Sequence, residues 1–342
     1  MDLELTARCN LNCRHCYINL PPGAKRARKN ELSFQEIKKI VDDAVELGAL
    51  WCLITGGEPF LREDFTDIYL YIKKKGLLVF LFTNATLINE KHIKLFEKYP
   101  PRELEVTVYG ATKKTYEQVT RIPGSYMAFQ RGLSFLRKSS LNFGLKAMAL
   151  RSNLREFDKI VEFSRNISRR PFRFDPFLHL RYDKDPQRNK WIAAERLSAQ
   201  EIINLEQGDV QRSLELKREC HNLVISKRSI NNEAYLFYCG AGLQSCSISY
   251  DGRFRLCASL WHPECLYDLR AGSLREAWEK FVPKIRSLKS RRKEYRERCG
   301  NCRLVNLCLW CPAHSYLETG EMDRPVEYFC EVAHARERML IK

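Results

Sequence analysis

Leu3-Glu4-Leu5-Thr6-Ala7-Arg8-Cys9-Asn10-Leu11-Asn12-Cys13-Arg14-His15-Cys16 is the stretch on which the reading of this chain turns. A short apolar strand over residues 3–6 runs directly into three cysteines spaced C-x3-C-x2-C. Four-cysteine zinc and iron–sulfur sites take all their thiolates from the protein. Three close thiolates with no nearby fourth suit a [4Fe–4S] cluster that keeps one iron open, and an open iron can hold a small molecule. Three buried structural cysteines, or part of a zinc site, would also account for the spacing taken alone.

Some forty residues on, Trp51-Cys52-Leu53-Ile54-Thr55 reads as a buried strand, followed at once by Gly56-Gly57-Glu58-Pro59. Paired glycines let a chain turn tightly and offer its amides and carbonyls to a ligand. Glu58 adds an acceptor suited to an ammonium group. By itself the string is equally an ordinary β-turn.

The chain has 342 residues, enough for two domains with real cores. It holds 14 cysteines, unevenly clustered. The opening Met-Asp-Leu-Glu lacks the basic and apolar segments of a signal peptide, and no run of 18 apolar residues would span a membrane. Many clustered cysteines in an unsecreted chain point to metal rather than disulfides, and a cytoplasmic location is expected. The net charge of +16 could attract nucleic acid or an anionic partner. The basic runs, such as Lys25-Arg26-Ala27-Arg28-Lys29, are scattered and lack interleaved aromatics, which disfavours a single-strand nucleic-acid groove.

Strands and helices alternate to about residue 180, the pattern of a parallel α/β sheet. Ser33 and Glu36 form a capping box ahead of an amphipathic helix that Gly48 ends. Further strands are expected over 77–82, 104–108, 145–150 and 172–180, with helices over 67–75, 89–99, 115–119 and 127–138. Asn153 and Glu156 suggest a second capping box. In barrels of parallel strands the chemistry sits at the carboxyl ends of the strands. The cysteine loop, Gly56–Pro59, Thr83-Asn84, Thr107, Asn153, and His179 with Arg181 all fall there. Lys146 on the fifth strand points either into the site or out toward a helix.

The three-cysteine motif, with His15 before its last cysteine and Gly56-Gly57-Glu58-Pro59 behind it, resembles the signature of the radical S-adenosylmethionine enzymes. That resemblance implies a partial (β/α)6, TIM-like barrel and a cluster on Cys9, Cys13 and Cys16. The open iron would chelate S-adenosylmethionine, whose reductive cleavage yields a 5′-deoxyadenosyl radical that abstracts hydrogen. It further implies that the Gly56–Pro59 backbone holds the cofactor's amino group. Thr83 and Asn84 would bond its ribose or carboxylate, Thr107 and Arg121 its carboxylate, and His15 would pack near the cluster and adenine.

Past residue 234 a second array begins: Cys239-x12-Gly252-x4-Cys257, then Cys299-x2-Cys302-x5-Cys308-x2-Cys311, then Cys330. It resembles the SPASM extension of the same enzymes, which binds two auxiliary [4Fe–4S] clusters, with two residues rather than three before Cys311. By that resemblance Cys299, Cys302, Cys308 and Cys330 hold the outer cluster, and Cys239, Cys257 and Cys311 the inner one. Its fourth ligand is Cys246, Cys220 or an open position for substrate. Thiolates suit zinc as well as iron–sulfur groups, so a zinc ribbon stays open. Cys52 and Cys265 read as packing residues. Three units result: a radical domain over 1–185, a helical bridge over 186–234, and a small cysteine-rich auxiliary iron–sulfur domain over 235–342.

The resemblance implies an oxidoreductase that crosslinks, epimerises or oxidises a ribosomally made peptide or protein. The expected partners are that substrate, a separate leader-binding protein, and a flavodoxin or ferredoxin as reductant. One alternative is maturation of a small-molecule cofactor or tetrapyrrole. Another is a zinc-ribbon module that binds nucleic acid. Asp175, His179 and Asp183 are the acid–base candidates, and each stands equally as a surface ion-pair partner.

Overall fold

The computed structural model describes residues 1–219, Val224 and residues 235–340. The apolar runs become six parallel strands: β1 (Asp2–Glu4), β2 (Trp51–Thr55), β3 (Leu78–Thr83), β4 (Glu103–Val108), β5 (Phe143–Met148) and β6 (Arg173–Asp175). Strand side chains alternate between faces. Cys52, Ile54, Val79, Leu81, Leu104, Val106, Leu145 and Ala147 are fully buried in the core shared with the helices. Their neighbours Leu53, Phe80, Phe82, Thr107, Lys146 and Met148 are half-buried on the opposite, inner face. Lys146 therefore points inward. Its Nζ lies 3.1 Å from Glu105 and 2.9 Å from the Phe82 ring centroid, and desolvation pushes its pKa down to about 8.

The expected capping box at Ser33 and Glu36 is present and starts the helix Phe34–Glu46. The one expected at Asn153 is not. Asn153 instead accepts from Leu150 N–H and donates to the Tyr109 and Met148 carbonyls, closing the turn after β5. Glu156 accepts from the Ala111 and Thr112 amides of a neighbouring loop. Both side chains found longer-range partners than their sequence spacing suggests. The sixth strand is also shorter than the expected run over 172–180, ending at Asp175. Pro176 has no N–H for the ladder, and Asp175 Oδ1 accepts the Phe177 amide to turn the chain away.

The carboxyl-terminal region extends the same sheet. β7 (Ser247–Ile248) lies parallel to β1, and β8 (Arg253–Arg255) and β9 (Tyr267–Asp268) follow antiparallel. The strand order is β6-β5-β4-β3-β2-β1-β7-β8-β9, so β1 sits between the two halves of the molecule. Gly252 (φ +83°) makes the β7–β8 turn, where a positive φ favours glycine. The helices Pro186–Glu195, Ala199–Gly208 and Val210–Arg218 precede this region. Cys220 lies outside the described residues. Among those that are described, no helix is long and apolar enough to cross a membrane.

Candidate active site

β1 delivers the three-cysteine loop to the carboxyl end of the half-barrel. Cys9 and Cys13 are buried and Cys16 half-buried, in a small apolar group with Leu11, Tyr109 and Ile122. Amides point at the sulfurs: Leu11 N–H at Cys9 (3.3 Å), Asn19 N–H at Cys16 (3.4 Å) and the Asn84 side chain at Cys9 (3.7 Å). Burial, and then neighbouring negative charge, pushes the Cys9 and Cys13 thiols well up. Such thiols ionise readily only where a positively charged group stabilises the thiolate, the proton leaving to solvent. Three close sulfurs, two of them met by N–H donors, therefore fit a cationic iron–sulfur group.

The loop is tied down from several sides. Asn12 and Arg14 donate their amides to the Thr120 and Val119 carbonyls at the end of the helix Lys113–Thr120. Arg181 is fully buried, and its Nη1 donates to the Cys16 and Asn19 carbonyls (3.2 and 3.3 Å). Asp183 pairs with Arg181 at 2.7 Å. Against the burial that would raise it, this guanidinium holds the Asp183 carboxyl below its usual range. Asp183 thus serves as the counter-charge of the buried Arg181. Asp175 is exposed and occupied by its turn.

Gly56 and Gly57 lie against the strand end that carries the loop. A Cβ on Gly56 would stand 2.3 Å from Thr6 O, and one on Gly57 2.2 Å from Arg8 O and 2.7 Å from Ala7 O. Gly57 N–H donates to Thr6 O and Glu58 N–H to Arg8 O. Glycine is needed here for close approach of two backbones. Gly57→Ala should cost about 3 kcal/mol or more, at the upper end for overpacking, because backbone cannot yield as a side chain can. Denaturant unfolding of the anaerobic protein checks this, and iron content should fall with it.

Glu58 does something other than expected. Its carboxylate is fully buried and accepts from Thr83 Oγ1 (2.8 Å), Asn84 N–H (2.8 Å) and Phe60 N–H (3.3 Å). Desolvation raises its pKa to about 7. Both oxygens clamp the end of β3 to the turn after β2, which leaves Oε2 with only the Asn84 N–H as a donor. Pro59 follows as the first residue of a buried 3-10 turn, Pro59–Leu61. Thr83 and Asn84 are likewise spent on protein partners, Asn84 bonding Asn10 (3.1 Å) and the Thr86 amide (2.9 Å). Thr107 faces inward beside Lys146 in the β4–β5 register. Arg121 is exposed and lies over the Trp191 ring (4.1 Å to the centroid). His15 is desolvated, its pKa lowered to about 4, and its buried Nδ1 has no partner.

The carboxyl-terminal cysteines form two groups. Cys299, Cys302, Cys308 and Cys330 line one cavity with Trp310. Cys257 is influenced electrostatically by Cys311 and Cys239, which sets those three together. Four thiols around a hollow suit a group with several metal corners. Cys246 is placed elsewhere. It packs in the core near Cys52 and the amino terminus, with its carbonyl accepting the Asp2 amide.

Sequence reading missed the side chains that hold this arrangement. Glu4 of β1 and Arg255 of β8 form a wholly buried ion pair at 2.7 Å, 251 positions apart. Asn19 and His314 were also missed. The one available signal was a charged residue, Arg255, on a strand two positions before Cys257.

Residues 3–164 match the radical SAM superfamily. Those residues form a radical S-adenosylmethionine domain, and a cysteine-rich carboxyl end follows it. The chain is 26% identical to the AdoMet-dependent heme synthase of Methanosarcina barkeri, covering 93% of this chain and 92% of that protein. It is 25% identical to the Fe-coproporphyrin III synthase of the same organism, over 89% of this chain and 80% of the relative. In fold it is similar to anSMEcpe solved with AdoMet and a Kp18Cys peptide. That match has a TM-score of 0.69 and 15% identity, covering 100% of this chain and 96% of the other.

Proposed function

We propose that this chain carries out S-adenosylmethionine-dependent radical modification of a tetrapyrrole. The carrying observation is the near end-to-end similarity to proteins named for heme and Fe-coproporphyrin III synthesis. It overturns the expectation of peptide modification. The peptide-bound relative is alike in fold at only 15% identity. The net charge of +16 suits a substrate bearing several carboxylates.

In this reading Cys9, Cys13 and Cys16 hold the cluster that binds S-adenosylmethionine. The two carboxyl-terminal cysteine groups hold two more clusters, and a flavodoxin or ferredoxin supplies electrons. Together the cluster and S-adenosylmethionine supply one-electron hydrogen abstraction. The chain's own part is placement. Arg181 fixes the Cys16 carbonyl, Asn84 and the Asn19 amide support the sulfurs, and Leu11, Ile122 and Tyr109 pack around them, excluding water. His15 offers its unpartnered Nδ1 as a polar contact beside the loop.

The test is anaerobic incubation of reconstituted protein with S-adenosylmethionine, dithionite and iron coproporphyrin III. A mass change in the tetrapyrrole, accompanied by deoxyadenosine, is expected. Release of deoxyadenosine with the tetrapyrrole unaltered would count against the proposal.

A further inference from the structure

Two imidazoles stack between the cysteine loops. His179 lies beyond the end of β6, and His314 lies in the helix Pro312–Thr319, three residues after Cys311. Their rings stack with centroids 5.4 Å apart and planes 18° apart. On the other side of His179 stands Tyr17, the residue after Cys16, at 4.5 Å. The row Tyr17–His179–His314 thus joins the loop of the first cluster to that of the inner auxiliary one. Backbone bonds hold both ends: Tyr182 N–H donates to Tyr17 O (3.4 Å), and His314 N–H to Cys311 Sγ (3.4 Å).

The hydrogen bonds decide the tautomers. His179 Nδ1 lies 3.2 Å from Leu180 O, and His314 Nδ1 lies 2.8 Å from Leu309 O. A carbonyl only accepts, so each Nδ1 carries the proton. Each neutral ring then has its lone pair on Nε2. Burial, and then His314, push the His179 pKa down to about 4, so the ring stays uncharged at neutral pH. As whole residues, His179 and His314 are each half-buried. A neutral imidazole braced through Nδ1–H to a backbone carbonyl is the usual arrangement of a metal-ligating histidine.

Among the described residues no group of three side chains at this pair is arranged to hold a bare metal ion. One imidazole suffices only for a metal whose other positions are already filled, as by the four nitrogens of a macrocycle. Resting on the tetrapyrrole reading, we propose that His179 Nε2 is an axial ligand to the iron of the tetrapyrrole substrate. His314 is a positioning residue that holds the ring of His179 by stacking. The site would thereby prefer the iron-bearing macrocycle over its metal-free form, and hang it between the two clusters.

The experiment compares iron coproporphyrin III with metal-free coproporphyrin III, each titrated into the anaerobically reconstituted holoprotein. The wild type should bind the iron form about tenfold more tightly, a difference of ~1.4 kcal/mol. The Soret band of its ferrous carbon-monoxide adduct should be that of imidazole-ligated iron. His179→Ala should erase the preference and the ligated spectrum while retaining its iron–sulfur content, and added imidazole should restore the spectrum. His314→Ala should keep the ligated spectrum and weaken binding. If His179→Ala binds the iron form with a spectrum and preference like wild type, the ligation is overturned and the tetrapyrrole reading stands. If the wild type binds neither macrocycle, both fail.

Discussion

Replacement of Cys9, Cys13 and Cys16 together by alanine is expected to abolish deoxyadenosine formation. It should also remove about four irons per chain, the content of one [4Fe–4S] cluster. The physical case is that these three sulfurs share one buried apolar pocket with amide donors aimed at two of them. Burial opposes thiolate formation at Cys9 and Cys13 unless a cationic group compensates. The carboxyl-terminal cysteines stand apart and should keep their own iron. Cys246→Ala is the matched control. Its thiol packs near Cys52 and the amino terminus, so iron content and deoxyadenosine release should stay at the wild-type level. Iron and sulfide analysis beside product chromatography reads both variants. Undiminished deoxyadenosine from the triple variant would remove the basis of the proposed chemistry.

Arg255→Ala is expected to destabilise the fold by about 3–5 kcal/mol, the range for breaking a buried ion pair from one side. Both partners are entirely shielded from water, so the variant strands Glu4 without a counter-charge. It also removes the cation over the Trp261 ring, 3.8 Å from its centroid, and the bond to Ala258 O. Glu4 lies on the strand that enters the first cysteine loop, and Arg255 lies two residues before Cys257. The loss should therefore loosen one cluster loop against the other. Removing both charges with Glu4→Leu and Arg255→Met should recover most of the loss, because a desolvated pair often contributes little over apolar packing. Denaturant unfolding of both variants beside the wild type checks the pattern. Equal destabilisation by the single and double replacements would show that the pair is not what matters there.

Much of the fold was legible from short-range pattern. Apolar runs of five or six residues became β2 to β5 to within one or two positions, because strand and helix periodicity is set by neighbours along the chain. The capping box at Ser33 read true because all its partners lie within three residues. The box at Asn153 misread because Tyr109 and Thr112, distant in sequence, competed for the same side chains. Glu58 is the same lesson within the site. Its motif marked the right place, but its oxygens went to Thr83 and Asn84 once β3 was laid beside β2.

Residue order alone settled the cysteine spacings, the parallel α/β alternation and the glycine pair, since each depends on contiguous residues and their conformational limits. Folding in three dimensions settled the rest. It turned Lys146 inward, set Arg181 on the Cys16 carbonyl, sent Cys246 into the core, and joined Glu4 to Arg255 across β1, β7 and β8. It also stacked His179 on His314. Those pairings are decided by strand register and by which faces meet. Side chains more than a hundred positions apart carry no mark of one another until the sheet is assembled.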